Sequence, residues 1–136
     1  MKKLYPILLV LDDIADDPRV ARYSKLLNSV YARGRHNGVS EITTVQKFNA
    51  LNTLIRVNAP HLFFYKIRNF REIELLQDEL STVVRKNNIQ KAKKLISNIY
   101  EIATAEPPNS LYINLFTNDI NKMFMNNFNA YLHIVD

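Results

Sequence analysis

The chain has 136 residues, of which 47% are hydrophobic and 23% are charged, a composition that excludes a disordered or fibrous protein. The absence of cysteine excludes disulfides, thiolate zinc sites and cysteine nucleophiles. The net charge of +5 favours polyanionic partners, although a solvated basic surface explains it equally well because the cations are spread along the chain. No apolar run approaches the roughly 20 residues that cross a bilayer, so we expect no membrane partner and a cytosolic protein.

The first predicted element is a short apolar run that ends in two acidic residues. Ile7–Leu11 reads ILLVL, a non-alternating run of mostly branched residues that predicts a parallel strand covered on both faces. Asp12 and Asp13 follow directly. The sequence thus leads a buried strand straight into paired carboxylates.

A helix is expected next. Asp17 can cap a helix that Pro18 opens and that ends near Gly34. The apolar face of this helix is predicted to consist of Val20, Leu26, Leu27 and Val30.

Strands and helices alternate along the rest of the chain. The predicted elements are strands at 41–45, 61–65, 111–116 and 131–135 and helices at 49–57, from Asn69 and from Asn88. Glu72 makes the start at Asn69 resemble a capping box, and Pro107 and Pro108 stop the last helix. The buried sides of the last two helices are predicted to contain Ile73, Leu76, Leu80, Val83 and Val84, and Ala92, Leu95, Ile96, Ile99 and Tyr100. This order predicts an α/β fold around a mostly parallel sheet, with ligands at the carboxyl ends of the strands.

The paired carboxylates suit a divalent cation. One aspartate can hold Mg²⁺, directly or through water, while its neighbour orients or deprotonates an attacking water. Taken alone, the pattern also fits a loop start, and Asp16 and Asp17 fit helix capping better than metal binding. An unrelated magnesium-dependent nuclease that uses Asp12, Asp13 and Asp16 is a further alternative.

The stretches that follow add context to the carboxylates. They read LLNSVYARGRHNGVSEITTVQKF and LNTLIRVNAPHLFFYKIRNFREIELLQDEL. With the Asp-Asp strand, they resemble the poxvirus-type DNA-packaging ATPases of large double-stranded DNA viruses and their virophage and transposon relatives, within the FtsK/HerA superfamily. The resemblance covers residues 8–80 and, more loosely, 111–116. It implies the three-layer, mostly parallel sheet of a RecA-like (ASCE) P-loop NTPase.

The resemblance also implies a function and site residues. It implies a ring-shaped motor that moves viral DNA into capsids, in the host-cell cytoplasm or with the virion. Asp12 would hold Mg²⁺, Asp13 would be the catalytic carboxylate and Gln46 would take the sensor position. Arg33 or Arg35 would be the arginine finger, inserted into a neighbouring subunit's site; a basic helix end at the carbonyl pole of its dipole explains these two arginines equally well.

One element of the family is not found in these 136 residues. A P-loop, G-x-x-x-x-G-K-[ST], cannot be formed, since the only glycines are Gly34 and Gly38. We therefore expect residues 1–136 to be a single domain, the carboxyl-terminal portion of an ATPase core from the Walker B strand onward. Such a truncated sheet should expose apolar surface and an unpaired strand edge.

Several alternatives follow from the missing P-loop. The chain would use ATP and Mg²⁺ only when a P-loop is supplied from elsewhere, so the expected partners are an amino-terminal half or an intact ATPase, further copies in a ring, and double-stranded DNA. A split gene, a decayed remnant and a misplaced start remain open. So does a non-catalytic interaction or DNA-binding module.

Overall fold

The computed structural model describes residues 5–13, 25–84 and 88–133. The chain is mixed α/β, as predicted, and it divides into two compact units, Met1–Ala59 and Pro60–Asp136. Unit 1 contains β1 (Ile7–Leu11), α1 (Lys25–Arg33), a 3-10 turn (Gly34–Asn37), β2 (Val39–Thr43), a 3-10 turn (Phe48–Ala50) and α2 (Thr53–Asn58). Unit 2 contains β3 (His61–Phe64), α3 (Phe70–Val83), α4 (Ile89–Ala103), β4 (Leu111–Asn114), a 3-10 turn (Ile120–Lys122), β5 (Phe124–Asn126) and β6 (Ala130–Tyr131). Among the described helices, none has the length and apolar character needed to cross a bilayer.

Unit 1 is built on a parallel pair of strands. The register places Ile7 opposite Val39 and Leu11 opposite Thr43. β2 begins two residues before the predicted start at position 41, because Gly38 adopts a φ of 69° and its carbonyl accepts a 2.9 Å hydrogen bond from the N–H of Ile7. The left-handed conformation of this glycine turns the chain from the 3-10 turn directly into the strand.

Helices pack on one face of this pair. Leu27 of α1 joins Leu51 and Ile55 in a buried cluster, and Leu11 of β1 packs against that cluster. Asn52 caps α2 by accepting a 3.0 Å hydrogen bond from the N–H of Ile55, so the helix predicted at 49–57 begins later than expected.

The other face of the pair is open in the described part of the chain. Leu8 and Val10 of β1 are 60% and 57% exposed, and the neighbouring Ile42 of β2 is exposed as well. Because side chains alternate between the faces of a strand, the described helices leave Leu8 and Val10 uncovered, whereas Leu9 and Leu11 on the other face are half-buried. The prediction that β1 is covered on both faces is therefore wrong for the structure as described.

Two further predictions about the first helix have different outcomes. Leu26 was predicted to lie inward and is exposed, whereas its neighbour Leu27 is buried, since consecutive helical residues point about 100° apart. Asp17, Pro18 and Val20 lie outside the described residues.

In unit 2, α3 and α4 are capped as the sequence predicts. The side chain of Asn69 accepts a hydrogen bond from the N–H of Arg71, and that of Asn88 accepts one from the N–H of Gln90. Lys93 forms an ion pair with Asp78 across the two helices. The predicted inward residues that are buried in the structure are Leu76, Leu80, Val84, Ala92, Ile96, Ile99 and Tyr100.

The sheet of unit 2 is antiparallel throughout. Its order is β3-β4-β5-β6, so the prediction of a mostly parallel sheet is not confirmed for the described strands. A single crossover helix brings the chain back to the edge at which a strand began, so that the next strand runs parallel to it. Here two helices follow β3 in succession. The chain therefore returns to the edge at which β3 ended, and β4 runs antiparallel to β3.

The last strands are short. β5 was not predicted, because a three-residue strand is too short to show a period in the sequence. The strand predicted at 131–135 is seen as β6 at Ala130–Tyr131, and positions 134–136 lie outside the described residues.

Glu41 lies in β2 on the face that is covered by helices. Its Oε1 accepts a 3.1 Å hydrogen bond from the hydroxyl of Thr43, whereas its Oε2 is buried without a hydrogen-bond partner among the described residues. Burial raises the pKa of Glu41, although the hydrogen bond from Thr43 acts in the opposite direction. The folded chain therefore binds a proton at this site more tightly than the unfolded chain.

We predict that Glu41→Gln removes a pH-dependent loss of stability. The buried carboxylate of Glu41 destabilises the folded chain. This destabilisation is absent below the ordinary pKa of glutamate and grows as the pH rises to the raised pKa, so the free energy of unfolding at pH 7 should be higher for the variant than for the wild type. Chemical denaturation at pH 4 and pH 7 measures this difference. The exposed Glu106→Gln serves as control, and an equal gain in both variants would contradict the prediction.

We also predict that the open face of β1 and β2 limits solubility. Val10 and Ile42 are register partners on that face, and Val10→Thr/Ile42→Thr keeps β-branched side chains while reducing apolar area. Light scattering at high concentration should show less association for the double variant. A wild-type chain that stays a monodisperse monomer would contradict this expectation.

Candidate functional site at the strand ends

The carboxyl ends of β1 and β2 bring four polar side chains together. Since Leu11 pairs with Thr43, the residues after each strand leave the sheet at the same edge. These residues are Asp12 and Asp13 after β1, and Thr44 and Gln46 after β2. The N–H of Thr44 still donates to the carbonyl of Leu11 at 2.9 Å, which extends the parallel ladder by one bond beyond the strands.

Thr44 links both aspartates. Its hydroxyl donates to Oδ1 of Asp12 at 2.5 Å and accepts from the backbone N–H of Asp13 at 2.8 Å. One hydroxyl thereby fixes the carboxylate of the first aspartate and the backbone of the second. Hydrogen bonds to a carboxylate are among the stronger ones in proteins, so this contact orients Asp12.

Asp13 has an unusual backbone conformation. Its φ is 49°, in the left-handed region that aspartate and asparagine visit more readily than most residues. In this conformation its N–H meets Thr44 and its Oδ2 accepts a 2.9 Å hydrogen bond from Nε2 of Gln46. Left-handed residues other than glycine cost energy and are concentrated at functional sites, so the conformation of Asp13 supports a role beyond chain reversal.

The two predicted arginines lie at the other end of the parallel pair. Arg33 is the last residue of α1 and Arg35 lies in the 3-10 turn that leads to Gly38 and the start of β2. The strand from Val39 to Thr43 then separates this edge from the carboxylates by roughly 13 Å, at about 3.3 Å per residue. The structure therefore brings Asp12, Asp13 and Gln46 together and leaves both arginines apart from them.

Neither arginine is held by an acidic side chain of the described residues. Arg33 is exposed and donates from Nη2 to the hydroxyl of Ser29 at 3.1 Å, one helical turn earlier. Arg35 is also exposed. Gly34 between them is buried, and a Cβ there would lie 3.1 Å from Cγ1 of Val30 and 3.2 Å from the carbonyl oxygen of Val39. The close approach of helix and strand at Gly34 fixes the backbone positions of the two arginines beside it.

The acidic side chains at the strand ends fit a metal that arrives with its nucleotide. Within the described ranges, no group of three or more His, Cys, Asp or Glu side chains could hold a metal ion by itself. Asp12 and Asp13 are exposed, however, and Mg²⁺ in nucleotide sites needs only one or two carboxylates because phosphates and water complete its shell. Asp16, the third carboxylate of the nuclease alternative, lies outside the described residues.

Thr44 is the member of the cluster that the sequence did not predict. The predicted strand at 41–45 placed it inside β2, whereas the strand ends at Thr43 and leaves its hydroxyl at the edge. In the sequence, Thr44 is simply a polar residue two positions before Gln46. Only the pairing of β1 with β2 shows that its hydroxyl reaches Asp12 and Asp13.

The chain matches a known protein family over most of its length. A family model described as "Poxvirus A32 protein" matches residues 1–126, a range that includes all four strand-end side chains and both arginines. No curated protein and no solved structure matches the chain. The match confirms the resemblance to poxvirus-type packaging ATPases that the Asp-Asp strand and the stretches after it indicated, and the chain belongs to the poxvirus A32 protein family, that of a DNA-packaging ATPase.

Proposed function

We propose that the chain contributes the Walker B, sensor and arginine-finger side chains of a motor ATPase that moves viral DNA into capsids. Its family implies a function related to packaging ATPases. The observation that carries the finer assignment is the 2.9 Å hydrogen bond from Gln46 to Asp13. It joins the predicted sensor to the predicted catalytic carboxylate, 33 residues apart in sequence, at the edge of the parallel pair.

Asp13 and Gln46 are suited to positioning the attacking water. The carboxylate of Asp13 can accept a hydrogen bond from that water and take its proton as the oxygen attacks the γ-phosphate. The amide of Gln46 holds the carboxylate in one orientation, and its carbonyl oxygen is a second acceptor for the water. Since phosphoryl transfer depends chiefly on positioning and electrostatics, this pair supplies orientation rather than covalent chemistry.

Asp12 is the residue that would hold Mg²⁺. Its carboxylate is oriented by the hydroxyl of Thr44 at 2.5 Å, so one oxygen has a fixed partner while the exposed side chain faces solvent. A bound Mg²⁺ supplies positive charge next to the phosphates of ATP. Thr44 acts here as a positioning residue for both aspartates.

The position of the arginines favours action on a neighbouring subunit. Arg33 and Arg35 leave the fold at the amino edge of β2, whereas Asp12 and Asp13 lie beyond its carboxyl edge. An arginine at that edge lies too far from Asp12 and Asp13 to act in the site of its own chain. Both arginines are exposed, so a second copy can contact them. A guanidinium delivered across a ring interface would balance the charge that develops on the transferred phosphoryl group.

A non-catalytic interaction module is the second candidate. The observation that favours it is the open apolar face formed by Leu8, Val10 and Ile42, which suits contact with an intact ATPase. Turnover in the presence of a P-loop polypeptide separates this candidate from the first.

We predict that the 136-residue chain alone hydrolyses ATP no faster than buffer. Its sequence contains no P-loop, so the phosphates lack the backbone amides and the lysine that hold them in this class of enzyme. Phosphate release with ATP and Mg²⁺ measures the rate. Mg²⁺-dependent turnover that disappears in Asp13→Asn would reveal a phosphate site within the chain.

The second prediction concerns rings assembled with a P-loop polypeptide. Asp13→Asn and Arg35→Ala should each reduce ATP turnover by about 10³-fold or more, and Arg35→Ala should leave ATP binding nearly unchanged because a finger acts on the transition state. If Arg35 acts on a neighbouring copy, mixing the two inactive variants should restore part of the activity. Mixed rings then contain interfaces at which an intact Asp13 meets an intact Arg35.

The mixing experiment has two controls. Lys94→Ala removes an exposed cation from α4 and should leave turnover unchanged. Arg33→Ala shows which of the two arginines is the finger. Failure of mixed rings to recover activity, although both variants assemble, would overturn action across the interface; full turnover by Arg35→Ala and Arg33→Ala would end the finger assignment.

A further inference from the structure

The turn before β2 contains an asparagine whose chain neighbour sets it apart from the others. Asn37 is followed by Gly38, and it is the only asparagine of the chain that precedes a glycine. The backbone nitrogen of the following residue can attack the side-chain amide of an asparagine, and a side chain on that residue hinders the attack. Glycine has no side chain and adopts backbone conformations that other residues avoid. The sequence therefore offers least hindrance to this reaction at Asn37.

The structure exposes both partners of the reaction. Asn37 is the last residue of the 3-10 turn and Gly38 follows it, and both are exposed. A Cβ built on Gly38 would have no atom within 4 Å, so the space beside the glycine is open. Water, which the reaction consumes, can reach the pair directly.

The hydrogen bonds that hold the nitrogen of Gly38 are weak. Its N–H is shared between the carbonyl groups of Gly34 and Arg35, and the bond to Arg35 is 3.4 Å long. A typical bond between backbone groups is about 2.9 to 3.0 Å long, and sharing of one N–H is common at the ends of helices. The turn itself has only four residues. Opening its last residue therefore frees the nitrogen without breaking a strong bond.

Asn28 provides an internal comparison. It precedes Ser29, and both residues lie within α1, where helical hydrogen bonds hold the backbone. Asn28 is half-buried, and its Oδ1 accepts a 2.6 Å hydrogen bond from Nδ2 of Asn52. Its amide is thus held in place, and the residue after it has a side chain. The same reaction should be much slower at Asn28 than at Asn37.

We propose that Asn37 is a site of covalent modification by spontaneous deamidation. The backbone nitrogen of Gly38 attacks Cγ of Asn37, and a cyclic succinimide forms as ammonia leaves with the proton of that nitrogen. Water then opens the ring. Addition at Cγ gives aspartate, and addition at the backbone carbonyl carbon of position 37 gives isoaspartate, in which the chain continues through the side chain. The net change is uptake of water and release of ammonia, without oxidation or reduction.

Either product places a carboxylate in a segment that is otherwise basic. Residues 31–40 contain Arg33, Arg35 and His36 and no acidic residue. Arg35 lies in the same 3-10 turn as position 37 and is exposed, so the new negative charge attracts its guanidinium. In the proposed function this carboxylate competes with the transferred phosphoryl group for Arg35. That consequence rests on the proposed function, whereas the modification itself does not.

Isoaspartate also changes the backbone at the start of β2, because it inserts a methylene carbon before Gly38. The carbonyl of Gly38 accepts the 2.9 Å hydrogen bond from the N–H of Ile7, and Ile7 opposite Val39 is the first pair of the register. A longer backbone at this point displaces the first bond of the parallel pair. Isoaspartate at position 37 should therefore destabilise unit 1 more than aspartate does.

The test follows the full chain during incubation at 37 °C and mildly alkaline pH. Trypsin then releases residues 36–47, whose only asparagine is Asn37, and residues 26–33, whose only asparagine is Asn28, since each range follows and ends with a basic residue. Mass spectrometry detects the replacement of an amide by an acid in each fragment. Aliquots digested before the incubation correct for conversion during digestion.

We expect fragment 36–47 of the folded chain to convert about tenfold faster than fragment 26–33. Its product should separate into two forms, one of which is labelled by a methyltransferase specific for isoaspartate. Lower pH should slow the conversion, because the attacking nitrogen must lose its proton. Asn37→Gln, which would need a larger ring, should show no conversion in this fragment.

Thermal melting tests the effect on the fold. Asn37→Asp has the same charge as the modified chain on an unchanged backbone, so it is the matched control. The incubated wild type, once it contains isoaspartate, should melt at a lower temperature than Asn37→Asp. Incubated Asn37→Gln should melt as it did before incubation.

Three results would overturn the proposal. They are equal conversion of the two fragments in the folded chain, conversion of fragment 36–47 only after unfolding in urea, and an isoaspartate-containing chain that melts like Asn37→Asp. None of these measurements uses ATP. Absence of turnover in rings with a P-loop polypeptide would therefore end the proposed function and leave the modification of Asn37 standing.

Discussion

The in-register parallel pairing of β1 with β2 is the constraint on which the candidate site depends. With Leu11 opposite Thr43, the residues that follow both strands reach one edge together. A shift by one residue would turn Leu11 from the helix-covered cluster to the open face and would separate Thr44 from Asp12. The packing of one apolar side chain therefore fixes the geometry of two carboxylates, and stability and site formation depend on the same register.

Local signals were readable from the sequence. Asn69 and Asn88 cap helices because a short polar side chain before a periodic apolar run satisfies the first free N–H groups, whatever the rest of the fold does. Asp12, Asp13 and Gln46 could be placed at strand ends for the same reason, since a polar residue after a short apolar run marks its end. The resemblance of the surrounding stretches then indicated the family.

The features that the sequence did not reveal depend on contacts between distant residues. Thr44 joins the site through a register with residues more than thirty positions away. The antiparallel order of unit 2 follows from two consecutive helices between β3 and β4, and β5 exists because Phe124 pairs with Ile113. Leu8 and Val10 are exposed because the described helices pack on the other face of the strand pair. The sequence of one strand does not show which of its two faces the helices will cover.

The separation of arginines from carboxylates constrains any assembly that uses both. In the proposed function, each copy offers its carboxylates at one edge of the parallel pair and its arginines at the other, so a productive contact must bring one edge of a copy against the opposite edge of its neighbour. Contact between unlike surfaces repeats from copy to copy and closes into a ring when the rotation allows. In the ring that the family resemblance implies, one such interface repeated around the assembly would give every Asp13 a neighbour's arginine, and no copy would lack a complete set.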